Sequence, residues 1–174
     1  MFSRLIIIRG NSGSGKTTIA REVRRRLGDG LCDNTMLVSQ DTFRREVLRE
    51  RDLHEKRSVI DLIELVVEFG RQQGRTVILE GIFNTKKYSD MLKGIASTFD
   101  QVHVYYFDIP FEETLNRHAS KPNAHEFGEK EMREWWKEKD YLGTANETIL
   151  HKDMTIDEVV DQIMNDAGTM KPVQ

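Results

Sequence analysis

Short apolar runs alternate along the chain with longer stretches in which apolar residues recur every three or four positions. The short runs have no alternating polar positions, which is typical of strands buried on both faces of a parallel sheet. The predicted strands are Leu5–Ile8, Met36–Ser39, Thr76–Leu79, Val102–Phe107 and the weaker Thr148–Leu150. Because strands alternate with helical segments, the pattern predicts an α/β fold built from βαβ units.

The stretches between these runs predict the connecting helices. Each has apolar residues at helical spacing, and glycines 28 and 74 mark the ends of two of them. The predicted helices cover 17–27, 42 to about 51, about 56–73, 88–98, 111–119 and 129 to about 139. A last helix is predicted after Thr155, because Thr155 and Glu158 have the spacing of a capping box.

The segment between the first strand and the first helix reads Gly-Asn-Ser-Gly-Ser-Gly-Lys-Thr, residues 10–17. It matches G-x-x-x-x-G-K-[ST], the phosphate-binding loop, and it has the strand before it and the helix after it that this loop requires. The glycines let the backbone approach phosphate oxygens, and the N–H groups at the helix N-terminus bind anions. Lys16 adds a positive charge near the β- and γ-phosphates, and the Thr17 hydroxyl suits Mg²⁺.

The length, charge and cysteine content of the chain limit its domain number and the classes of partner it could bind. The 174 residues suit one domain, which we assign to residues 1–167, followed by a flexible tail at 168–174. The net charge of −3 argues against a large nucleic-acid footprint, because such domains are usually strongly basic. The single cysteine excludes an intrachain disulfide framework. No segment has the pattern of a signal peptide or a membrane span, so a cytoplasmic location without membrane partners is the default expectation.

Carboxylates follow predicted strands, at the sheet edge where parallel sheets bind ligands. Asp41, after the second strand, could accept the proton of an attacking hydroxyl, while Arg44 and Arg45 could hold an anionic acceptor. The alternative is that Asp41 only caps the helix that follows it. Glu80, after the third strand, could hold Mg²⁺ or a water on it, or it could be a solvated strand end. Asp108 is interpreted as a turn residue.

Arg117 lies late in the predicted helix 111–119. An arginine plane can stack on a purine ring. A solvated helical arginine is the commoner case, and the residue pattern alone favours it.

Taken together, the motifs resemble those of the small phosphate-loop kinases of the nucleotide-kinase-like group. Four segments occur in that group's order: the phosphate loop, Ser39-Gln40-Asp41-Thr42-Phe43-Arg44, Leu79-Glu80-Gly81, and the stretch from Asp108 to Arg117. The second segment is similar to the one after the second strand in polynucleotide 5′-hydroxyl kinases, chloramphenicol phosphotransferases and zeta-type toxin kinases. Uridine kinases have a similar Asp-x-Phe and a similar Leu-Glu-Gly turn.

The resemblance implies a three-layer P-loop kinase fold with a five-stranded parallel sheet of order 2-3-1-4-5 and a helical lid at about 118–140. It implies that Asp41 is the base and that Arg117 lies against adenine, opposite the loop 152–155. Lids of this group often carry arginines that face the phosphates. Here the lid offers one arginine among its basic residues, Lys121, Lys130, Arg133, Lys137 and Lys139.

The resulting assignments form four sets. The catalytic set is Lys16, Asp41 and Arg133. The nucleotide-binding set is Gly10, Asn11, Ser12, Gly13, Ser14, Gly15, Lys16, Thr17, Thr18 and Arg117. The acceptor-binding set is Asp41, Arg44 and Arg45, and the metal set is Thr17 and Glu80.

These assignments favour an ATP- and Mg²⁺-dependent kinase that transfers the γ-phosphate to a hydroxyl of a small molecule or nucleotide. One alternative is a polynucleotide 5′-hydroxyl kinase, although residues 44–57 hold only six basic against four acidic residues. A second alternative is a non-kinase switch module that hydrolyses nucleoside triphosphates. A guanine-specific switch would carry N-K-x-D, and the nearest string, Asn84-Thr85-Lys86-Lys87, lacks the aspartate.

Overall fold

The computed structural model describes residues 2–28, 34–50, 58–120 and 124–168. Within these ranges the centre of the molecule is one sheet of five strands: β1 (Arg4–Gly10), β2 (Thr35–Ser39), β3 (Thr76–Gly81), β4 (Gln101–Asp108) and β5 (Glu147–His151). The strand order is β2-β3-β1-β4-β5, and every neighbouring pair is parallel. The predicted fold class and strand order are confirmed.

Helices cover the two faces and the carboxyl edge of this sheet. They are α1 (Lys16–Leu27), a π-helix (Thr42–Val47), α2 (Ser58–Gln72), α3 (Thr85–Ala96), α4 (Phe111–Ala119), a 3₁₀ turn (Ala124–Glu126), α5 (Glu129–Trp135) and α6 (Ile156–Asp166). Within the described ranges we find no helix with both the length and the apolar character that crossing a bilayer requires.

The first strand shows why the apolar runs are unbroken. Successive side chains of a strand point to opposite faces of the sheet. Leu5 and Ile7 join the core cluster formed with α2 and α3, whereas Ile6 and Ile8 join the cluster formed with α1 and α6. All four side chains are fully buried, so none of them faces water.

Several helix ends differ from the sequence-based predictions. The segment predicted as helix from Thr42 forms a π-helix that ends at Val47, and α3 begins at Thr85 because the Asn84 side chain caps it, accepting from Lys87 N at 3.1 Å. The predicted capping box is confirmed, since Glu158 N donates to Thr155 Oγ1 at 3.2 Å and Thr155 N donates to Glu158 Oε2 at 2.8 Å. Four predicted features lie outside the described residues: the end at Arg51, the start at Lys56, Lys121, and the tail beyond residue 168.

Helix α5 is four residues shorter than predicted. It ends at Trp135 rather than near Lys139. Lys137 does not continue the helix because its backbone N–H and its carbonyl both bond to the side chain of Asn11. A contact to a residue 126 positions away therefore overrides the local helical pattern.

Arg9 is a fully buried charge in the middle of the fold. Its guanidinium donates to Asp140 Oδ2 at 2.8 Å, Glu147 Oε1 at 3.0 Å and the Phe83 carbonyl at 2.9 Å, and it lies 5.0 Å from the centre of the Tyr106 ring. One side chain therefore ties β1 to β5 and to the segments that follow β3 and precede β5.

We expect Arg9→Met to lower the free energy of unfolding by about 3–5 kcal/mol. Removing one partner of a buried ion pair leaves the other charges without a compensating charge, here the carboxylates of Asp140 and Glu147, which keep only their uncharged donors. Chemical denaturation measures the change. Arg25→Met is the matched control, because the Arg25–Glu22 pair is exposed and its loss should cost far less. Equal losses in the two variants would contradict the structural role of Arg9.

Candidate active site

The phosphate loop connects β1 to α1 and needs glycine for two reasons. Gly10, Gly13 and Gly15 have φ angles of 146°, 80° and 102°, a region that side chains rarely adopt. The surroundings also leave no room, because a Cβ on Gly13 would lie 2.5 Å from the Thr114 carbonyl oxygen and one on Gly10 would lie 2.9 Å from Phe107 Cβ. The loop is thus pressed against β4 and α4.

Lys16 begins α1, and its side chain turns back over the loop. The residue is 7% exposed, and its Nζ donates to the Asn11 carbonyl at 2.7 Å and to Ser14 Oγ at 3.3 Å. The positive charge is therefore held within the loop that is built to receive an anion. Thr17 and Thr18 follow in the first turn of α1, where both are exposed.

Thr17 and Glu80 are brought together, as the metal-site prediction requires. Thr17 Oγ1 donates to Glu80 Oε2 at 3.3 Å, and Ser39 Oγ donates to Glu80 Oε1 at 2.6 Å. Glu80 is only 3% exposed, so it is not a solvated strand end. Its carboxylate is held between α1 and β2 by two hydroxyl groups.

Asp41 lies directly after β2, on the same sheet edge as Glu80. Its side chain is 58% exposed and makes no capping hydrogen bond to the helix behind it, so the structure does not show the capping role. Arg44 Nη2 donates to Asp41 Oδ1 at 2.7 Å. The turn is anchored by the buried Gln40, whose Oε1 accepts from Ile82 N at 2.8 Å.

Arg45, the other predicted acceptor ligand, pairs with a residue of the predicted lid. Its guanidinium forms an ion pair with Glu126 in the 3₁₀ turn, and this hydrogen bond raises the pKa of Arg45. Both side chains are partly exposed. An anion that bound Arg45 would compete with Glu126.

Arg117 stands beside the phosphate loop. Its Nη1 donates to the Ser14 carbonyl at 3.0 Å, and its Nε donates to Glu113 Oε1 at 2.7 Å. The guanidinium thereby lowers the pKa of the Glu113 carboxyl. Contact between Arg117 and adenine stays a prediction.

A cavity of about 550 Å³ opens where β4 and β5 end, next to the first turn of α4. Two of its residues, Lys152 and Asp153, belong to the loop that the resemblance places beside the base. Arg117 lies on the side of α4 that faces the phosphate loop. The cavity is lined by Asp108, Ile109, Pro110, Phe111, Glu112, Trp136, Glu138, Lys139, His151, Lys152 and Asp153.

The Arg133 side chain contacts Glu129 and Phe111 and not the backbone of the phosphate loop. Its Nη2 donates to Glu129 Oε1 at 2.8 Å, its guanidinium lies 4.2 Å from the centre of the Phe111 ring, and the side chain is 63% exposed. The structure therefore does not join Arg133 to Lys16, and its predicted catalytic role stays a prediction.

Sequence reasoning missed the positioning roles of Ser39, which holds Glu80, and Gln40, which anchors the Asp41 turn. It assigned Asn11 to the nucleotide site but missed the contact of its side chain with Lys137, in the predicted lid. Ser39 could have been found, because the parallel register of β2 and β3 places it opposite Glu80. No pattern in the neighbouring sequence indicates the contact of Gln40 with Ile82 or that of Asn11 with Lys137.

A phosphate loop after the central strand of a 2-3-1-4-5 parallel sheet defines a nucleotide-kinase-like P-loop protein. The chain belongs to the AAA domain family, whose sequence profile matches residues 5–141. No curated protein matches the chain.

Many solved structures share the fold. The APS kinase of Mycobacterium tuberculosis, solved with AMPPNP and APS, has a TM-score of 0.68 and 18% identity, covering 96% of this chain and 98% of that chain. A gluconokinase from Sinorhizobium meliloti 1021 has a TM-score of 0.65 and 14% identity, covering 96% and 93%. The tunicamycin resistance protein of Deinococcus radiodurans has a TM-score of 0.67 and 16% identity, covering 96% and 97%. At such identities the similarity shows a shared fold.

Proposed function

We propose that this protein is an ATP- and Mg²⁺-dependent kinase that transfers the γ-phosphate of ATP to a hydroxyl of a small molecule or nucleotide. The main support is the order of side chains at the carboxyl edge of the sheet. Lys16 follows β1, Glu80 lies in the neighbouring β3, and Asp41 follows β2, the next strand outward. Groups suited to phosphate, metal and acceptor thus occur in sequence across three adjacent strands. The presence of kinases among the structural neighbours is consistent with this arrangement.

The residues present fit Mg²⁺. Mg²⁺ prefers oxygen ligands and usually takes only one or two from the protein, with waters and phosphate oxygens completing the octahedron. Thr17 Oγ1 and Glu80 Oε2, 3.3 Å apart at the end of the phosphate loop, offer such a pair. Bound there, the ion would neutralise charge on the β- and γ-phosphates.

We expect Glu80→Gln to raise the Mg²⁺ concentration needed for half-maximal rate by about tenfold or more. The amide removes the negative charge that attracts the ion, but its oxygen can accept from one of the two hydroxyl groups and its NH2 can donate to the other, so folding should be preserved. Magnesium titrations of the rate measure the shift. Glu64→Gln, on α2, is the control and should leave the titration unchanged. An unaltered Mg²⁺ dependence in Glu80→Gln would remove Glu80 from the metal site.

In the proposed reaction the acceptor oxygen forms a bond to the γ-phosphorus while the bond to the departing ADP oxygen breaks. Asp41 takes the acceptor's proton, which its exposed carboxylate can reach without rearrangement of the core. Arg44 holds that carboxylate from one side. Lys16 stabilises the negative charge on the transferred group, so that most of the catalysis comes from positioning and charge neutralisation.

Residues 118–140 form the proposed lid over this site. Closing a lid excludes water from the transferred phosphoryl group. The described part of the lid already touches the loop, since Met132, Trp135 and Trp136 line a small space together with Asn11 and Ser12. For Arg133 to face the phosphates, its side chain would exchange Glu129 for the nucleotide.

Hydrolysis by a switch module is the rival function. A phosphate-release assay separates the two, since a kinase releases little phosphate from ATP alone and transfers the label once an acceptor is present. A polynucleotide 5′-hydroxyl kinase would instead require salt-sensitive binding of oligonucleotides. Rapid phosphate release that no acceptor diverts would favour the switch module.

A further inference from the structure

The phosphate loop is tied directly to the lid through one side chain. Asn11 Nδ2 donates to the Lys137 carbonyl at 2.7 Å, and Lys137 N donates to Asn11 Oδ1 at 3.0 Å. The two residues are 126 positions apart, and Asn11 is only 6% exposed. Nothing in the phosphate-loop pattern requires asparagine at this position, which the motif leaves open.

An asparagine side chain is well suited to this contact. A primary amide presents one acceptor and two donors, so it can satisfy the N–H and the carbonyl of the same residue. A carboxylate could accept from the N–H but could not donate to the carbonyl, and alanine could do neither. The pair of bonds therefore depends on the chemical identity of residue 11.

Asp140, three residues after Lys137, is also fixed, to β1, to β4 and to the first residue of α3. Asp140 accepts from Arg9 at 2.8 Å, from Thr85 N at 3.0 Å and from Thr85 Oγ1 at 2.5 Å, while Asp140 N donates to Tyr106 Oη at 3.2 Å. Lys139 has a φ of 45°, which is costly for a residue with a side chain and persists only where neighbours enforce it. Residues 137–140 thus form a strip anchored at both ends.

The helix before this strip is attached differently. Trp136 has extended backbone angles at the end of α5, and its ring packs edge-on against Phe111 at 5.2 Å between centroids. Trp135, one residue earlier, is 46% exposed. The backbone direction changes at Trp136, between a helix held by side-chain packing and a strip held by hydrogen bonds and a buried ion pair.

Asn11 also contacts the lysine of the loop. Its carbonyl oxygen accepts from Lys16 Nζ at 2.7 Å, while its side chain holds Lys137. A displacement of the strip would therefore move the residue that orients the Lys16 ammonium group.

We propose that Asn11 is a positioning residue that fixes the C-terminal end of the lid to the phosphate loop, so that the lid closes about Trp136 and residues 137–140 do not move with it. Its effect on turnover rests on the proposed kinase function, whereas its effect on the strip does not. In this arrangement the position of the closed lid relative to Lys16 is fixed, because Asn11 contacts both Lys137 and Lys16.

Hydrogen exchange of the free protein tests the anchor without any assumption about activity. Asn11→Ala should speed exchange of the amides of residues 137–140 about tenfold, because the Lys137 N–H loses its acceptor and the Lys137 carbonyl keeps only the longer bond from Tyr106 Oη at 3.5 Å. Asn146→Ala is the matched control, since Asn146 Nδ2 also donates to a backbone carbonyl, that of Val102 at 2.9 Å, far along the chain from the loop. Unchanged exchange of the strip in Asn11→Ala would overturn the proposal.

A second variant keeps the test decisive if Asn11→Ala does not fold. Asn11→Asp keeps the acceptor for Lys137 N but sets a carboxylate against the Lys137 carbonyl, so exchange of the strip should again be faster. Protection equal to wild type in Asn11→Asp would overturn the proposal.

Turnover provides the readout that a purely structural role would not change. In Asn11→Ala we expect kcat to fall about tenfold while the dissociation constant for ATP stays within about threefold, since the loop's N–H groups remain. A weaker ATP affinity with kcat preserved would overturn the positioning role. A wild-type protein without transferase activity would refute the proposed function, while the exchange experiment would still decide whether Asn11 anchors the strip.

Discussion

Lys16→Ala should abolish phosphoryl transfer, with a loss of at least about 10³-fold in kcat/KM. Lys16 is 7% exposed and its ammonium lies within the phosphate loop, where low solvent access makes its charge effective. Removing one preorganised donor from such a site typically costs about 10²–10³ in rate, and here a full charge is lost as well. ATP binding should weaken too, because the β- and γ-phosphates carry their charge before transfer begins. Steady-state kinetics and equilibrium ATP binding measure the two effects.

The control for this variant is Lys93→Ala, an exposed lysine on α3. It removes the same charge from the protein surface and should leave both measurements unchanged. If Lys16→Ala bound ATP and turned over normally, the nucleotide site would have to be assigned elsewhere.

Asp41→Asn should lower kcat by about 10² or more while folding and ATP affinity stay close to wild type. The amide has the size of the carboxylate but cannot take the acceptor's proton. The structure strengthens the expectation of a stable variant, because Asp41 makes no capping bond and its side chain is 58% exposed. Thermal unfolding, ATP titration and turnover numbers together measure the separation between chemistry and stability.

Asp90→Asn serves as the matched control on the exposed face of α3, and its kinetics should not change. A large loss of stability in Asp41→Asn, with normal turnover of the folded fraction, would show that Asp41 acts only as a structural residue. Glu80 would then be the next candidate for the base.

The sheet could be predicted because its physical cause is local. Leu5–Ile8 is apolar at every position, short and rich in isoleucine, which together indicate a strand with both faces buried. The order of the strands was harder to obtain, since it came from the resemblance carried by the phosphate loop, the Asp41 segment and the Leu79-Glu80-Gly81 turn. The structure confirms that order.

The features that sequence reasoning missed depend on distant partners. No pattern in the neighbouring sequence indicates that Arg9 is buried. It is nevertheless fully buried, because it pairs with Asp140 and Glu147, which lie 131 and 138 residues further along the chain. Helix α5 stops early because Asn11 takes both backbone polar groups of Lys137. Neither effect has a signal within the few residues that helix and strand patterns span.

The candidate site was predictable to a different degree for each residue. The Thr17–Glu80 contact follows from the parallel sheet, which brings the ends of β1 and β3 to one edge. The ion-pair partners of Asp41, Arg45 and Arg133 could not be predicted from the sequence. The partners of exposed charged side chains depend on local geometry, which no sequence pattern records. Their roles in binding and transfer therefore stay predictions.

The most direct test of the kinase assignment is transfer of label from γ-labelled ATP to a panel of acceptors: nucleosides, nucleotides, sugars, aminoglycosides and short oligonucleotides. With Mg²⁺ present, we expect at least one class that bears a free hydroxyl to become labelled by the wild-type protein and to stay unlabelled with Lys16→Ala. Release of all the label as inorganic phosphate, at a rate that no acceptor changes, would contradict the kinase assignment and identify the protein as a hydrolase.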